Sequence, residues 1–599
     1  MQRKSTPVTW RFKGVSDALD SSTAFDGAMA ALTNLVPDPT TSRLWQCRPA
    51  ATKVFDLNAP SSVGPFSSGF SSGFQHNYFN GTGGFISVYR VIGDIVYGMA
   101  ADSNFSGQDA PFAYDLATNS ALLVAGSINA TTLPNSPPTA GAWTPPQMAL
   151  IGTKLMVAHG GFTGAGGNFI GWFDISTPNA PVWNAGNLSG AIQFTVAPTG
   201  VAQFFNRAYY LYNSANPAVI FSDVLAATVV TNASQVLTFG DNVPLTALGS
   251  LALSTTAGGI VQSLIVFKNV TTIYQVTGDE ALSTTNPLTV NSLNVATGTL
   301  APNTVCNTPK GLAFVSPDGV RVIGFDARVS DPIGHDGSGV TVPFILTSVP
   351  TRMVAACSGN VLRITTLNGA LTGAPAQEYW YEFDRNIWTG PHTFPASLIE
   401  PWKATFIMAP SGITGSLWQS DPVQTLQSTF VENGSQLTWT AATALLPDTD
   451  QIVNVCITEA QLDLAVASGI GNISISLLDQ AATVIDTVTI PPSTASQTLW
   501  GQFVWGQAQW GGGAAIALAP YQLQWHRPIV FARGMFTASA GSALGMKVGA
   551  LHLRYQVLRQ WINTQTTPAA SVDSLYYFTE DGVVYTTEDG TPYQTENAA

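Results

Sequence analysis

The chain has 599 residues, of which 45% are hydrophobic and only 10% are charged, against about 25% in a typical soluble domain. A net charge of −13, with only 23 Lys and Arg, argues against a protein that grips nucleic acid through a broad basic surface. The 55 Gly and 37 Pro favour strands joined by many polar turns, and so an all-β fold.

The N-terminal region, residues 1–60, is predicted to form a helix followed by an extended arm. Phe25, Met29 and Leu32 recur at helical spacing within residues 16–36, and prolines punctuate the sequence that follows. A helix and arm of this kind could pack on their own domain or on a neighbouring subunit, and the sequence leaves both alternatives open. The candidate subunit contacts here are Phe25, Met29, Leu32, Trp45 and Arg48.

A Ser/Gly-rich stretch at 61–75 opens the next region, residues 61–430, in which short hairpins recur. Each unit is rich in β-branched and aromatic residues and turns at Gly, Asn or Asp, as in 83–100, 201–213, 263–276 and 378–390. Their spacing of roughly 45 to 65 residues resembles that of propeller blades, which run ~40–50 residues. We therefore predict a β-propeller-like domain of roughly six to eight blades.

The stretch 310–326, "KGLAFVSPDGVRVIGFD", poses the question of whether "SPDG" carries chemistry. Pro317 presets φ, Asp318 can bond the backbone two residues on, and Gly319 accepts a positive φ, which together predict a hairpin turn. A sialidase-like aspartate box would separate its Asp and Gly by one residue and then place an aromatic. Here Asp318 and Gly319 are adjacent, so the stretch is interpreted as a blade turn.

Residues 431–565 have longer strands and are interpreted as a β-sandwich-like domain, followed by a hairpin tail over 566–599 in which "TEDG" occurs twice. Trp500, Trp505 and Trp510 repeat every five residues. They would serve either as a platform that stacks on sugar rings or as structural anchors within a sandwich or a subunit contact. We include them among the candidate subunit contacts.

No catalytic or metal-binding motif is present in the sequence. The six histidines lie at no metal-ligand spacing, and His335 is the only one beside both a carboxylate and a serine. The four cysteines, Cys47, Cys306, Cys357 and Cys456, are far apart and are expected to be reduced. We therefore expect no enzyme activity, no cofactor and no metal. A basic start followed by Asp17 and Asp20 predicts no signal peptide, and no apolar run is long enough for a membrane span.

Three stretches together resemble the tail nozzle, or tail tubular protein B, of short-tailed bacteriophages, a group related to packaged-DNA stabilisation proteins. They are residues 25–50, "FDGAMAALTNLVPDPTTSRLWQCRPA", residues 298–323, "GTLAPNTVCNTPKGLAFVSPDGVRVI", and the "TEDG" tail. The resemblance implies a structural virion protein built of a β-propeller with added β-domains. It also implies a six-membered ring below an adaptor ring, through which double-stranded DNA passes and to which tail fibres or spikes attach.

The negative charge agrees with this expectation, because an acidic wall discourages adhesion of DNA during its passage. The protein would be assembled in the host cytoplasm and end in the phage tail. The alternative is a carbohydrate-binding or carbohydrate-cleaving β-propeller protein, such as a receptor-binding tail component. A stoichiometric ring distinguishes the first function, and a monomer with saccharide affinity the second.

Overall fold

The structure is a computed structural model that describes residues 6–15, 29–41, 44–56, 85–101, 109–126, 146–162, 167–254, 260–278, 287–334, 350–366, 376–411, 415–443, 454–465, 472–479, 483–490, 519–523, 529–531 and 534–558. In these residues the regular structure is strand, apart from short 3₁₀ turns such as Pro302–Thr304 and Pro350–Arg352. The predicted all-β class is confirmed. The chain divides into two compact units.

The terminal unit comprises Met1–Pro49, Gly337–Gly339 and Val423–Ala599, and the propeller unit comprises Ala50–Asp336 and Val340–Pro422. The terminal unit begins with β1 (Thr6–Trp10), β2 (Met29–Thr33), β3 (Leu35–Pro37) and β4 (Trp45–Cys47). The propeller unit then follows with β5 (Thr52–Asp56), the first of its strands in chain order.

In its described residues the propeller unit contains seven mainly antiparallel sheets, numbered here in chain order. Sheet 1 is β6 (Phe85–Ile92), β7 (Ile95–Ala101), β8 (Asp109–Asp115) and β9 (Ser120–Leu122). Sheet 2 is β11 (Gln147–Ile151), β12 (Lys154–Ala158), β13 (Ile170–Asp174) and β14 (Val182–Gly186), with the short β10 (Ala125–Gly126) beside β14. Sheet 3 is β16 (Gly200–Phe204), β17 (Arg207–Tyr212), β18 (Ala218–Phe221) and β20 (Val236–Thr238), and a separate pair joins β15 (Ser189–Gly190) to β19 (Val229–Val230).

Sheet 4 is β21 (Leu245–Ser254), β22 (Ile260–Lys268), β23 (Thr272–Thr277) and β24 (Thr289–Ser292). Sheet 5 has three strands, β25 (Cys306–Thr308), β26 (Gly311–Ser316) and β27 (Gly319–Gly324). Sheet 6 is β28 (Val354–Ser358), β29 (Val361–Thr366), β30 (Gln377–Glu382) and β31 (Ile387–His392). Sheet 7 is β32 (Ala396–Trp402), β33 (Thr405–Pro410) and β34 (Ser416–Ser420), completed by β5.

The seven sheets are arranged in a ring, because the first strand of each contacts the first strand of the next and β32 of sheet 7 contacts β6 of sheet 1. This is the architecture of a β-propeller, and the predicted β-propeller-like core is confirmed. Apolar side chains fill the space between neighbouring sheets. Sheets 1 and 2, for example, enclose Tyr97, Leu155, Phe173 and Trp183, all at most 1% exposed.

The ring is completed by a strand from the beginning of the propeller unit. β5 pairs with β34, the last strand of that unit, so that sheet 7 contains both ends of the unit. Phe55 of β5 is 4% exposed, and its ring lies 4.6 Å from that of Tyr114 and 5.6 Å from that of Phe112 in sheet 1. Closure therefore depends both on strand pairing and on a buried aromatic contact.

The terminal unit is completed by β35 (Val431–Glu432), β36 (Ser435–Gln436), β37 (Thr438–Thr443), β38 (Asn454–Ala465), β39 (Ile473–Asp479), β40 (Val484–Ile490), β41 (Ala519–Leu523), β42 (Ile529–Phe531), β43 (Gly534–Gly541) and β44 (Lys547–Leu558). One of its sheets centres on β38 and β44, and the other joins β2, β37, β43, β39 and β40. The alternating burial of Ile473, Ile475 and Leu477 on β39 gives the second sheet a buried face, as expected in a β-sandwich.

The predicted N-terminal helix is wrong over its described part, residues 29–36, which form β2 and β3. β2 pairs with β37, β3 pairs with β4, and Asn34 between them has a φ of 57°, a value that interrupts a strand. A register shift between Met29 and Ala31 lets both Met29 and Leu32 be fully buried. This bulge produced the spacing that resembled a helix. Residues 16–28, including Phe25, lie outside the described residues.

"SPDG" is a hairpin turn between β26 and β27, as predicted, with Ser316 opposite Gly319. Gly319 has a φ of 133°, a backbone conformation in which a residue with a side chain would be strained. Asp318 forms an ion pair with Arg321 through both carboxylate oxygens, and Ser316 Oγ lies 2.5 Å from Asp318 Oδ1. Arg321 also donates to Ser330 O at 2.6 Å, so the turn is tied to the segment that follows β27.

We expect Asp318 to make the stability of this hairpin acid-sensitive. The hydrogen bonds from Arg321, together with Ser316, lower the pKa of Asp318 from 3.8 to about 2 despite partial burial. Because the folded-state pKa is depressed, the stabilisation is present above pH 3.8 and is lost as the pH falls through about 2.

The measurement is the urea midpoint of the wild type and of Asp318→Asn from pH 6 to pH 2. The deficit of the variant should shrink below pH 4 and vanish near pH 2, and Arg321→Met should show the same convergence. A deficit that stays constant over this range would contradict the assignment.

Candidate functional site

The channel at the centre of the propeller unit is the candidate functional site. It is a cavity of about 610 Å³ that residues of all seven sheets line, largely from their first strands. A volume of this size lies within the ~300–1,000 Å³ typical of small-molecule sites. A seven-sheet ring places one short segment of each sheet on the channel, so side chains far apart in sequence meet there.

An ion pair lies where sheet 7 meets sheet 1. Arg90 Nη1 on β6 donates to Glu400 Oε1 on β32 at 3.0 Å, although the two residues are 310 positions apart. The Glu400 side chain is 17% exposed and that of Arg90 is 46% exposed. Burial raises the pKa of Glu400, and the guanidinium of Arg90 opposes this rise. The pair therefore lies in a partly desolvated setting at the boundary of the two sheets.

Tyr89, next to Arg90, contributes to the same contact between sheet 1 and sheet 7. Its hydroxyl donates to Ile407 O at 2.7 Å and lies 3.3 Å from Leu398 O, and the side chain is 3% exposed. Burial raises its pKa well above 10. The hydroxyl is thus a neutral donor that fixes sheet 1 on sheet 7, and it positions the neighbouring Arg90.

The rest of the polar lining is uncharged. Gln147 of β11, Gln203 of β16, Ser250 of β21 and Asn307 of β25 lie on four successive sheets. Within the described part of the chain, the side chains of these four residues make no hydrogen bond to other protein groups. Their amides and hydroxyl are therefore available to a molecule in the channel.

Two thiols also line the channel, Cys306 on β25 and Cys357 on β28. Burial raises the pKa of Cys357 to about 12. The pKa of Cys306 is raised further, first by burial and then by the nearby Cys357 and Glu400. Both cysteines are free, as the sequence predicts, and thiols so far from ionisation are poor nucleophiles at neutral pH.

The described lining of the channel offers one carboxyl group for chemistry of the glycosidase kind. Glycosidases of the usual kind need two carboxyl groups about 5–9.5 Å apart. Among the described lining residues Glu400 is the one carboxylate, and it is paired with Arg90.

In the described residues, no cluster of three or more His, Cys, Asp or Glu could hold a metal ion. None of the helical segments in the described part is long and apolar enough to cross a membrane.

Four of the predicted subunit contacts, Met29, Leu32, Trp45 and Arg48, lie in the interior of the terminal unit. All are at most 2% exposed. Trp45 Nε1 donates to Phe12 O at 3.2 Å, and the Arg48 guanidinium is bound inside the unit by Glu432 and Asn34. In the described structure these four side chains are covered by the terminal unit itself.

The remaining predicted residues, Phe25, Trp500, Trp505 and Trp510, lie outside the described residues, as do His335 and both "TEDG" turns. Arg90, Glu400 and the channel amides belong to no recognisable motif in the sequence. Arg90 and Glu400 do stand out as charged residues inside otherwise apolar strands of a chain poor in charge. That signal could have identified each residue as a candidate, but the sequence near either one does not indicate that the two form a pair.

No family model matches the chain, and no curated protein matches it. Solved structures with partial likeness include the computationally designed protein Ika8, at 11% identity and a TM-score of 0.33, over 68% of this chain and 99% of that one. A puromycin-hydrolyzing peptidase of Mycobacterium tuberculosis matches at 10% identity and a TM-score of 0.36, over 66% of this chain and 61% of the peptidase. A glycoside hydrolase family 43 arabinoxylan arabinofuranohydrolase from Bacillus subtilis matches at 12% identity and a TM-score of 0.24. The match covers 78% of this chain and 94% of the hydrolase. Likenesses at this level assign no function.

Proposed function

We propose that the chain is a structural virion protein, the subunit of a ring-shaped tail nozzle of a short-tailed bacteriophage. The observation that carries the proposal is the architecture, a β-propeller whose sequence is inserted between the parts of a second β unit. The resemblance in sequence implies this combination of a propeller with added β-domains. In this role the protein is a conduit and gate for DNA and a platform for fibres or spikes, and it performs no catalysis.

The conduit in this proposal is the lumen of the ring and not the channel of a single propeller. A cavity of about 610 Å³ is the size of a small-molecule site and does not admit a DNA duplex. A lumen enclosed by subunits that each carry a net charge of −13 would repel the DNA backbone. DNA would then pass without adhering to the wall.

The ring would be closed by heterologous contacts, in which one face of a subunit meets a different face of the next. The proposed partners are five further copies of this chain, the adaptor protein of the same particle and tail fibres or spikes. The proposed location is the phage tail, after assembly in the host cytoplasm.

Particle mass by mass photometry tests the proposal, with the purified chain alone and with its adaptor protein. We expect a species of about six times the 63.0 kDa of one chain, formed either alone or on addition of the adaptor. Serum albumin in place of the adaptor is the control for non-specific association. A chain that stays monomeric under all these conditions would refute the nozzle function.

A further inference from the structure

The propeller channel has a chemistry that ring assembly does not use. It presents one cation and one anion, joined to each other, together with uncharged amide and hydroxyl groups from other sheets. Arg90 supplies the one guanidinium and Glu400 the one carboxyl group among the described lining residues, and each is already bound to the other. An anionic ligand would have to displace Glu400 from Arg90, and a cationic ligand would have to displace Arg90 from Glu400. The electrostatics therefore favour a neutral ligand.

The uncharged groups favour a ligand with several hydroxyls. The amide of Gln147, Gln203 or Asn307 offers both a donor and an acceptor, which is what a hydroxyl needs on each side. In the described structure these amides bind no other protein group, so a ligand would gain hydrogen bonds without breaking existing ones. Glu400 binds Arg90 through Oε1, which leaves Oε2 in a position to accept from a hydroxyl beside Arg90.

The size and the apolar part of the lining agree with this chemistry. Leu150, Val305 and Leu398 are partly exposed and contribute apolar surface to the channel. A sugar ring carries C–H groups that suit such a surface between its hydroxyls. The Tyr89 hydroxyl is already engaged with the backbone of sheet 7, so recognition would rest mainly on the amides and the ion pair.

We propose that the central channel of the propeller binds a neutral saccharide of one or two rings. Binding at this site is independent of ring formation, so the two proposals can succeed or fail separately. A nozzle subunit would then bind a sugar of the host surface or of the surrounding solution, and no covalent bond in the sugar would be made or broken.

Saturation-transfer-difference NMR on the full chain tests the site with D-glucose, D-galactose, N-acetyl-D-glucosamine and lactose as probes, and with D-glucuronate as a charged counterpart. We expect saturation transfer to at least one neutral sugar and a weaker effect on glucuronate. Asn307→Leu and Gln203→Leu should each weaken Kd by about three- to tenfold through loss of one or two hydrogen bonds.

Asn291→Leu is the matched control, because Asn291 is also exposed and lies on β24, the last strand of sheet 4, away from the channel. The melting temperatures of all three variants establish that they are folded. Asn307 is exposed, so its replacement should not disturb the core. The proposal is overturned if no neutral sugar binds, if glucuronate binds more tightly, or if both channel variants bind as the Asn291→Leu protein does.

Discussion

Replacement of Arg48 by Met is expected to lower the free energy of unfolding of the terminal unit by about 3–5 kcal/mol. Arg48 Nη1 and Nη2 donate to Glu432 Oε1 and Oε2 at 2.9 and 2.8 Å, and Arg48 Nε donates to Asn34 Oδ1 at 2.8 Å. The two charged side chains are 3% and 6% exposed. The substitution leaves the Glu432 carboxylate buried without its counter-charge, and this desolvation is the main cost.

Hydrogen exchange with mass spectrometry measures this effect, because it reports on β3, β4 and β37 separately from the propeller strands. We expect faster exchange in the terminal unit and unchanged exchange in sheets 2 to 4. The double variant Arg48→Met, Glu432→Leu should recover most of the loss, since it removes both charges together. Lys53→Met, at an exposed pair with Asp56, is the control and should cost about 1 kcal/mol or less. Equal effects of Arg48→Met and Lys53→Met would show that the buried pair is not important.

The second large effect is expected for Glu378→Ala in sheet 6, again about 3–5 kcal/mol. Glu378 is paired with Arg363 Nη2 at 2.6 Å, and the two side chains are 1% and 3% exposed. Its carboxylate also accepts from Trp380 Nε1 at 2.5 Å and from the backbone N–H of Ala396 at 2.8 Å. Removing the Glu378 carboxylate leaves the Arg363 guanidinium and at least two neutral donors buried without their acceptor.

The bond to Ala396 connects sheet 6 to the first strand of sheet 7, so the damage should extend across that boundary. Exchange should accelerate in β30 and β32 while sheets 2 to 4 stay protected. Glu378→Gln keeps an acceptor oxygen and should cost less than Glu378→Ala. The control on the same strand is Glu382→Ala, whose partner Arg385 lies 3.7 Å away in a pair that is 22% and 19% exposed, and whose loss should cost less than that of Glu378. An Ala variant at 378 no worse than the one at 382 would contradict this account.

The sequence by itself determined the strand content and the hairpin positions in the propeller unit. Pro317-Asp318-Gly319 and the turn at Gly93-Asp94 impose backbone angles locally, and the β-prone residues beside them have few alternatives. The expected number of blades, six to eight, includes the seven observed sheets for the same reason, because each sheet is a local meander with its own turn signals.

Only the tertiary structure decided which distant segments pair. β5 completes sheet 7 by pairing with β34 across the whole propeller unit, and β2 pairs with β37. Long-range pairing of this kind depends on which partner covers a buried face, and the pattern of one strand carries no record of its partner. The error over residues 29–36 has this origin, since a bulge and the left-handed Asn34 imitate a helical spacing. The channel is a product of ring closure for the same reason, because Arg90 and Glu400 become neighbours only when sheet 7 meets sheet 1.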